Sequence, residues 1–319
     1  MRSVARYLGG LALVMFTFIL TGCMVPPGWN VKDSDQGLLE NLALYNFGSP
    51  YARMDALARV TDQEFLLKVA ETNQDPPFRF QAIANLNDQT MLMKLIQEDV
   101  HPDERAAAAR RITDPSLVTK LAESADPEVR EAVVGRLSDP GLLRRLALED
   151  KSPQVRVAAI MCETNQAVME QAATGDPDAA VRQMATSKVL DQNVLAKVIR
   201  NDPEAGVRAA AAGRLVDQEI LLEIVLKDHE STVRQAALKH LTDSPSLATV
   251  ATTANDPAIR LGAISRVDDP VTLAVIQTKD RVPRNQIAAR NRAQEIQHNS
   301  AAGANTQTAP AGKQPVNAQ

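Results

Sequence analysis

The chain has 319 residues, of which 45% are hydrophobic and 23% are charged. This balance predicts a folded protein, because intrinsically disordered chains are poor in hydrophobic residues. Lys and Arg number 35 against 39 Asp and Glu, for a net charge of −4. A chain without a basic excess lacks the usual footprint of a phosphate binder, so we expect no nucleic-acid partner. Two cysteines allow at most one disulfide, which excludes a disulfide-stapled scaffold.

Residues 1–22 have the features of a secretory signal peptide. Arg2 and Arg6 supply a positive start, and residues 7–20 form an apolar run. A membrane-spanning helix needs about 20 apolar residues, so this run predicts a cleaved leader rather than a membrane span.

The leader ends at residues 20–23, which read Leu-Thr-Gly-Cys and resemble the lipobox of bacterial lipoproteins. The resemblance implies that Cys23 is lipidated and becomes the first residue of the mature chain, followed by a linker over 23–34. Several acyl chains hold a soluble body stably at a bilayer. In bacterial lipoproteins an aspartate directly after the cysteine would suggest retention at the inner membrane. Met24 holds that position here, which resembles a lipoprotein sorted to the outer membrane and implies a periplasm-facing position there. The alternative is an ordinary leader that ends near a cysteine.

One arginine recurs through the chain about every 26 residues. We call these residues the repeat arginines: Arg53, Arg79, Arg105, Arg130, Arg156, Arg182, Arg208, Arg234 and Arg260. Arg284 continues the series after a shorter gap. A second series of Asp or Asn keeps the same spacing from Asp62 to Asp269. Two markers in phase indicate an internal repeat.

Each repeat predicts two short helices, as residues 202–225 illustrate. Asp202 and Pro203 are suited to the N-cap and first position of a helix A, which carries the repeat arginine, and Asp217 is suited to the cap of a helix B. Such short helices bury their apolar faces only by stacking on neighbouring repeats. We therefore expect an all-α alpha-solenoid of about nine 26-residue repeats over 35–298, with half-repeat caps, and a disordered tail over 299–319.

The repeat motif V-R-x-A-A-x-x-x-L-x-D-x-x-L-L resembles leucine-rich-variant and HEAT-like repeats. The resemblance implies a binding scaffold. In the leucine-rich-variant proteins that the motif resembles, an iron–sulfur cluster is bound by a cysteine-bearing segment. This chain lacks those cysteines, so we expect no cofactor. The repeat length leaves open whether helix B is α or 3₁₀.

The repeat arginines predict a structural ladder, because packing requires the same residue in every repeat. Asp75, Asp126 and Asp256 lie four residues before an arginine and suit hydrogen bonds between loops. The alternative interpretation is a stripe that binds anions.

Glu163 interrupts a column of Val, Ile and Leu that lies seven residues after each repeat arginine. We expect helix A to shift here, so that Met161 or Cys162 fills the core position and Glu163 reaches solvent. A further hypothesis is a weak point or hinge at 156–170, in which case Glu163→Leu would raise the melting temperature.

Every aromatic residue after the leader lies at or before residue 80. Aromatic side chains are favoured interface anchors, which makes a candidate partner surface of Tyr51, Phe65, Phe78 and Phe80. The alternative is that these side chains close the open end of the core.

Catalysis has little support in the sequence. The four histidines, His101, His229, His240 and His298, are not spaced as metal ligands, and neither a Gly-rich phosphate loop nor a G-x-S-x-G motif is present. Cys162 lies in an alanine-rich helix, where we expect a buried small apolar residue. We predict no catalytic site and no metal. Some HEAT-like repeats are similar to phycobilin lyases, which leaves a lyase-like enzyme as a minor alternative.

The sequence thus favours a lipid-anchored periplasmic lipoprotein that acts as a non-catalytic scaffold for an envelope protein or peptide. Two alternatives stay open. One is a structural spacer, and the other is a binder of an anionic envelope polymer along the arginines or the basic segment 281–292.

Overall fold

The computed structural model describes residues 35–44, 50–97 and 101–307. All regular secondary structure in these residues is helical. The twenty α-helices are α1 Gln36–Leu44, α2 Pro50–Ala58, α3 Gln63–Thr72, α4 Pro76–Asn85, α5 Gln89–Gln97, α6 Pro102–Arg111, α7 Pro115–Leu121, α8 Pro127–Val134, α9 Pro140–Glu149, α10 Pro153–Cys162, α11 Gln166–Gly175, α12 Ala179–Thr186, α13 Gln192–Asn201, α14 Ala205–Ala212, α15 Gln218–Lys227, α16 Ser231–His240, α17 Ser244–Thr253, α18 Pro257–Ile264, α19 Pro270–Lys279 and α20 Pro283–Gln307.

Even-numbered helices from α2 to α18 are the predicted A helices, and the odd-numbered helix after each is its B helix. Nine A–B pairs are preceded by α1 and followed by α20. The predicted alpha-solenoid with a half-repeat at each end is therefore confirmed, and each described B helix is α rather than 3₁₀. Helix α20 continues to Gln307, past the predicted start of the tail at 299. The signal peptide, Cys23 and residues 308–319 lie outside the described residues.

The chain divides into two compact units, Met1–Leu143 and Arg144–Gln319, where we expected one array over 35–298. Within each unit, successive A helices pack side by side, as α4 does on α6 and α14 does on α16. Each unit also packs B helices against the A helix that follows, as α3 does on α4 and α15 does on α16.

Two columns of residues on the A helices form the core of these stacks. The alanines three residues after the repeat arginines are between 0% and 3% exposed, and the absence of a longer side chain allows close helix approach. The apolar column seven residues after the arginines is equally buried in both units, from Val60 and Leu86 to Leu241 and Val267. Leu137 is the half-buried member of this column.

Aspartates cap the helices, largely as predicted. The side chains of Asp191 and Asp217 accept hydrogen bonds from the first-turn amides of α13 and α15. Asp202 is different, because α14 begins at Ala205 with Glu204 at its N-cap. Asp202 instead follows the last residue of α13, so its predicted role as the N-cap of helix A is wrong.

Candidate functional site

The repeat arginines join successive loops of the solenoid. Arg156 is one example. Its Nη1 donates to the carbonyl of Asp150 at 2.8 Å, in the loop before its own helix. Its Nε and Nη2 donate to the two carboxylate oxygens of Asp176 at 2.7 and 2.8 Å, in the next loop. Both side chains are less than a tenth exposed. One guanidinium therefore clamps two loops together.

The same arrangement recurs in the second unit. Arg182, Arg208 and Arg260 pair with the aspartate twenty residues later, at Nε–Oδ2 distances of 2.7 to 2.8 Å. These aspartates are Asp202, Asp228 and Asp280. In the first unit Arg79 pairs with Glu104 and Arg105 with Asp126. The predicted structural ladder matches this geometry.

The partners of the arginines were identified only in part by the sequence. Asp126 and Asp256 do bond between loops, but each pairs with the arginine of the preceding repeat, Arg105 and Arg234, rather than with the arginine four residues later. The aspartates at 176, 202, 228 and 280 were not recognised as partners. Their signal is a spacing of twenty residues after an arginine.

The charge of the ladder is internally neutralised, which weakens the interpretation of an anion-binding stripe. Contact with the aspartates raises the pKa of Arg156, Arg182, Arg208 and Arg260. Conversely, the hydrogen bond from Arg260 holds the pKa of Asp280 below its ordinary value. Both partners therefore stay ionised at neutral pH, and their donors and acceptors are directed at each other.

Arg284 does not belong to the ladder, although it extends the arginine series. Gln286 is the residue 26 positions after Arg260, and its Nε2 donates to the carbonyl of Asp280 at 2.7 Å, six residues earlier. Arg260 makes the equivalent bond to the carbonyl of Ala254. Arg284 is exposed at the start of α20.

A second column of polar side chains, unnoticed in the sequence, lies six residues after the repeat arginines. Lys188 donates from Nζ to the carbonyls of Ile160, Met161 and Glu163 at 2.7 to 2.9 Å, at the end of the previous A helix. Cations are favoured at helix C-termini, where carbonyls lack partners. Members with equivalent bonds are Asn85, Arg111, Arg136, Lys188, Arg266 and Arg292.

A third column consists of glutamines at the first position of B helices. Gln218 accepts at Oε1 from the backbone N–H groups of Thr242 and Asp243, at 2.6 and 3.1 Å, in the next repeat. We call this column the glutamine ladder, and its members are Gln36, Gln63, Gln89, Gln166, Gln192 and Gln218. Its sequence signal is a recurrent Asp-Gln or Asn-Gln pair.

Glu163 occupies the core position itself, so the predicted shift of helix A is wrong. The residue is 6% exposed, whereas Met161 is 60% exposed. Its Oε1 accepts from the backbone N–H groups of Thr164 and Asn165 at 2.8 and 2.9 Å. In other repeats a glutamine 24 residues earlier accepts from the N–H equivalent to that of Thr164. Here that position is Pro140, whose side chain has no amide oxygen. The carboxylate of Glu163 thus takes the place of the glutamine acceptor, and whether 156–170 is a hinge stays a prediction.

Cys162 is exposed, contrary to the expectation of a buried apolar residue. The reason is its place in the second column, at the rim of the A helices, where the other repeats have mostly cations or amides.

The aromatic candidates are divided between core and surface. Tyr51 on α2 is 87% exposed and Phe80 on α4 is 38% exposed. Phe65 is half-buried on α3. Phe78 is buried, and the guanidinium of Arg53 lies 4.4 Å from the centre of its ring. Phe78 lies on the side of α4 that faces the core, so it is unsuited to a partner surface. Tyr51 and Phe80 are the accessible candidates.

A larger surface of distinct composition lies on the A helices of the second unit. We define the A face as four accessible positions, two before and one, two and five after the repeat arginine, in α10, α12, α14, α16 and α18. Ala, Gly, Gln, Met and Ser predominate, and Lys239 carries the one charge among these twenty residues. The B helices of the same unit carry more charges: Glu170, Lys197, Arg200, Glu219, Glu223, Lys227 and Lys279.

The A face contains a groove of about 500 Å³ between α16 and α18. Gln235, Leu238, Lys239, Gly262 and Arg266 are among the residues that line it. A Cβ at Gly262 would lie 3.0 Å from Cδ2 of Leu238, so glycine keeps this contact open. Sequence reasoning missed the A face, because its members become neighbours only after the repeats stack.

The described part of the chain contains no group of three His, Cys, Asp or Glu residues arranged to hold a metal ion. None of its helices has both the length and the hydropathy required to span a bilayer.

No protein-family model and no curated protein matches the sequence. Among solved structures, the X-ray structure of YibA from E. coli is similar, with 17% identity and a TM-score of 0.43 over 78% of this chain and 98% of that chain. A designed armadillo repeat protein is 14% identical with a TM-score of 0.17, over 82% of this chain and all of that one. Because both TM-scores are low, the assignment of an armadillo- or HEAT-like helical repeat rests on the paired helices themselves.

Proposed function

We propose that this protein is a non-catalytic scaffold that binds a protein or peptide across the A face of its second unit. The observation that carries the proposal is the near absence of charge on that face. Interface cores are depleted of charged residues relative to the rest of a protein surface. The A face is accessible, and one charge in twenty positions is far below the 23% of charged residues in the whole chain.

The ladders support a structural rather than catalytic use of the polar residues. The side chains of Arg156 and Gln218 form hydrogen bonds with neighbouring loops. A catalytic group requires a polar atom directed at a substrate. The proposal therefore includes neither a reaction nor a cofactor.

The scaffold is proposed to be a lipoprotein, anchored by acylated Cys23 at the outer membrane and facing the periplasm. The support is the lipobox-like sequence at 20–23 and the short apolar run before it. Mass spectrometry of the mature N-terminus tests this directly. We expect cleavage before Cys23 and added acyl mass, both lost in Cys23→Ser, and an unmodified cysteine would refute the anchor.

Photo-crosslinking tests the binding face in native membranes. A photoreactive residue at Gln183 or Gln235, both exposed on the A face, should crosslink one envelope protein in high yield. The same residue at Gln171 or Gln277, on α11 and α19, is the control and should crosslink weakly.

Matched isosteric variants extend the test. Gln183→Glu with Gln235→Glu places two charges on the A face and should weaken capture, whereas Gln171→Glu with Gln277→Glu should not. Equal capture by both pairs, or equal crosslinking from both faces, would contradict the proposal.

An anionic envelope polymer is the second candidate, and the exposed cations Arg281, Arg284 and Arg290 favour it. Such binding should weaken steeply with salt, because it depends on screened charges. Capture through the A face should resist salt. A structural spacer would bind neither.

A further inference from the structure

One loop of the second unit lacks the aspartate of the arginine ladder. Asp176, Asp202, Asp228 and Asp280 hold this position in other repeats, 26 or 52 residues apart. At the remaining position the residue is Ala254, 96% buried. The chain supplies no carboxylate at this position, and Asp256, two residues later, pairs with Arg234 instead.

Arg234, twenty residues before Ala254, is the arginine with which an aspartate at this position would pair. It reaches Asp256 with Nη2 at 2.8 Å, and its Nη1 bonds the carbonyl of Asp228 at 2.9 Å. Its Nε is buried and has no hydrogen-bond partner among the described residues. In Arg208 and Arg260 the same Nε donates to an aspartate at 2.7 to 2.8 Å. An unpaired buried donor is unfavourable.

Ala254 lines a groove of about 440 Å³ between the loop after α17 and the end of α19. A sibling groove of about 280 Å³ lies three repeats earlier and is built from equivalent positions. There Asp176 stands where the larger groove has Ala254. Asn201 and Pro203 of the sibling are replaced by Lys279 and Arg281. Val275 replaces Lys197 of the sibling, so the groove at Ala254 has lost one carboxylate and has three cations where the sibling has two.

Two of these cations are uncompensated within the described residues. The side chains of Lys279 and Arg281 are exposed and make no hydrogen bond or ion pair there. The one carboxylate in the lining, Asp280, is engaged by Arg260 on both oxygens and by the amides of Val282 and Asn285. The sibling groove balances Arg182 and Lys197 against Asp176 and Asp202. The groove at Ala254 therefore has an excess of two positive charges.

We propose that the groove at Ala254 binds an aspartate or glutamate side chain from an acidic peptide segment of a partner protein. The partner's carboxylate lies in the groove beside Ala254, the position that an aspartate of the chain holds in the sibling groove. Lys279 and Arg281 line the groove and attract it. This inference rests on the proposed function only in that the solenoid binds a protein; it names a second contact, on the loop edge rather than on the A face.

The test is a titration of the full-length protein in detergent with fluorescein-labelled hexaglutamate, followed by fluorescence anisotropy. Labelled hexaglutamine is the control probe and should not bind. Lys279→Gln with Arg281→Gln should raise the dissociation constant of hexaglutamate by about tenfold, because two charge-assisted contacts are lost. Ala254→Asp should raise it to a similar extent, because the new carboxylate occupies the site from within.

Lys197→Gln, in the sibling groove, is the matched control and should leave the dissociation constant unchanged. Thermal melting of each variant shows that it is folded. Affinity that is equal in wild type and in both groove variants, or absent in wild type, would overturn the inference. Displacement by inorganic phosphate at the same concentration as by unlabelled hexaglutamate would overturn the peptide as occupant. Neither result bears on the proposed binding at the A face, because crosslinking measures that binding separately.

Discussion

Arg156 illustrates how a single side chain holds two repeats together. The guanidinium and the carboxylate of Asp176 are both buried, which carries a desolvation cost. Two bonds between them, and one to the carbonyl of Asp150, offset that cost. Removing one partner leaves the other charge buried without compensation, so each clamp is a sensitive point of the fold.

Asp176→Ala should lower the free energy of unfolding by about 3 kcal/mol, the loss typical of breaking a buried ion pair from one side. Denaturant unfolding monitored by circular dichroism measures it. Glu170→Ala on the neighbouring helix α11 removes a half-buried carboxylate for which no ion pair is observed, and it serves as the control. A loss no greater than that of the control would show that the clamp contributes little.

Glu163→Leu should lower the melting temperature, the opposite of the effect expected from the sequence. The substitution leaves the N–H groups of Thr164 and Asn165 without their acceptor, at a cost of about 1 kcal/mol. Glu163→Gln keeps an acceptor oxygen and should melt close to wild type. If the leucine variant melts higher than wild type, the buried carboxylate is a weak point after all.

At the scale of elements, the helices are short and depend on contacts between repeats. Apolar columns supply most of the burial, while the glutamine ladder fixes the start of six of the nine B helices against the preceding one. Gln218 shows this, because its Oε1 accepts from two amides that precede α17. These amides lie before the first turn of α17, so no carbonyl of that helix is placed to accept from them.

Gln218→Ala should therefore loosen the start of α17 locally. We expect faster amide hydrogen exchange at Thr242 and Asp243 and a loss of about 1 kcal/mol in the free energy of unfolding. Exchange measured by mass spectrometry with peptide resolution distinguishes this from global destabilisation. Gln235→Ala, on the A face, is the control and should not alter exchange there; identical exchange in both variants would argue against the ladder.

At the scale of the whole molecule, the ladders make stability depend on ionised aspartates. Hydrogen bonds from Arg234 and Arg260 lower the pKa of Asp256 and Asp280 in the folded state. A carboxyl with a depressed folded pKa stabilises the fold above its unfolded pKa of about 4, and this contribution is lost as pH falls toward the folded value.

We therefore expect the melting temperature to be nearly constant from pH 7 to about pH 5 and to fall steeply below about pH 4. Thermal melts across this range measure the effect. Asp280→Asn removes one titrating group and should flatten the acid limb while lowering stability at neutral pH. A melting temperature that rises on acidification would contradict the sign of these pKa shifts.

Local sequence determined the helices. Capping aspartates such as Asp217 and apolar residues at helical spacing act within a few residues, so the nine repeats and their half-repeat ends could be predicted from the chain. Prediction from local sequence was wrong for Asp202, because this residue belongs to the arginine ladder and does not cap α14.

Only the tertiary structure decided which polar groups are hydrogen-bonded within the fold and which surfaces remain accessible. The acceptor of Arg156 lies twenty residues away, and that of Lys188 lies 25 to 28 residues away, so neither pairing exists before the repeats stack. Burial of Phe78 and Glu163, exposure of Cys162 and the nearly uncharged A face all follow from that stacking. The physical reason is that desolvation and hydrogen-bond pairing depend on neighbours in space, whereas caps and helical periodicity depend on neighbours in sequence.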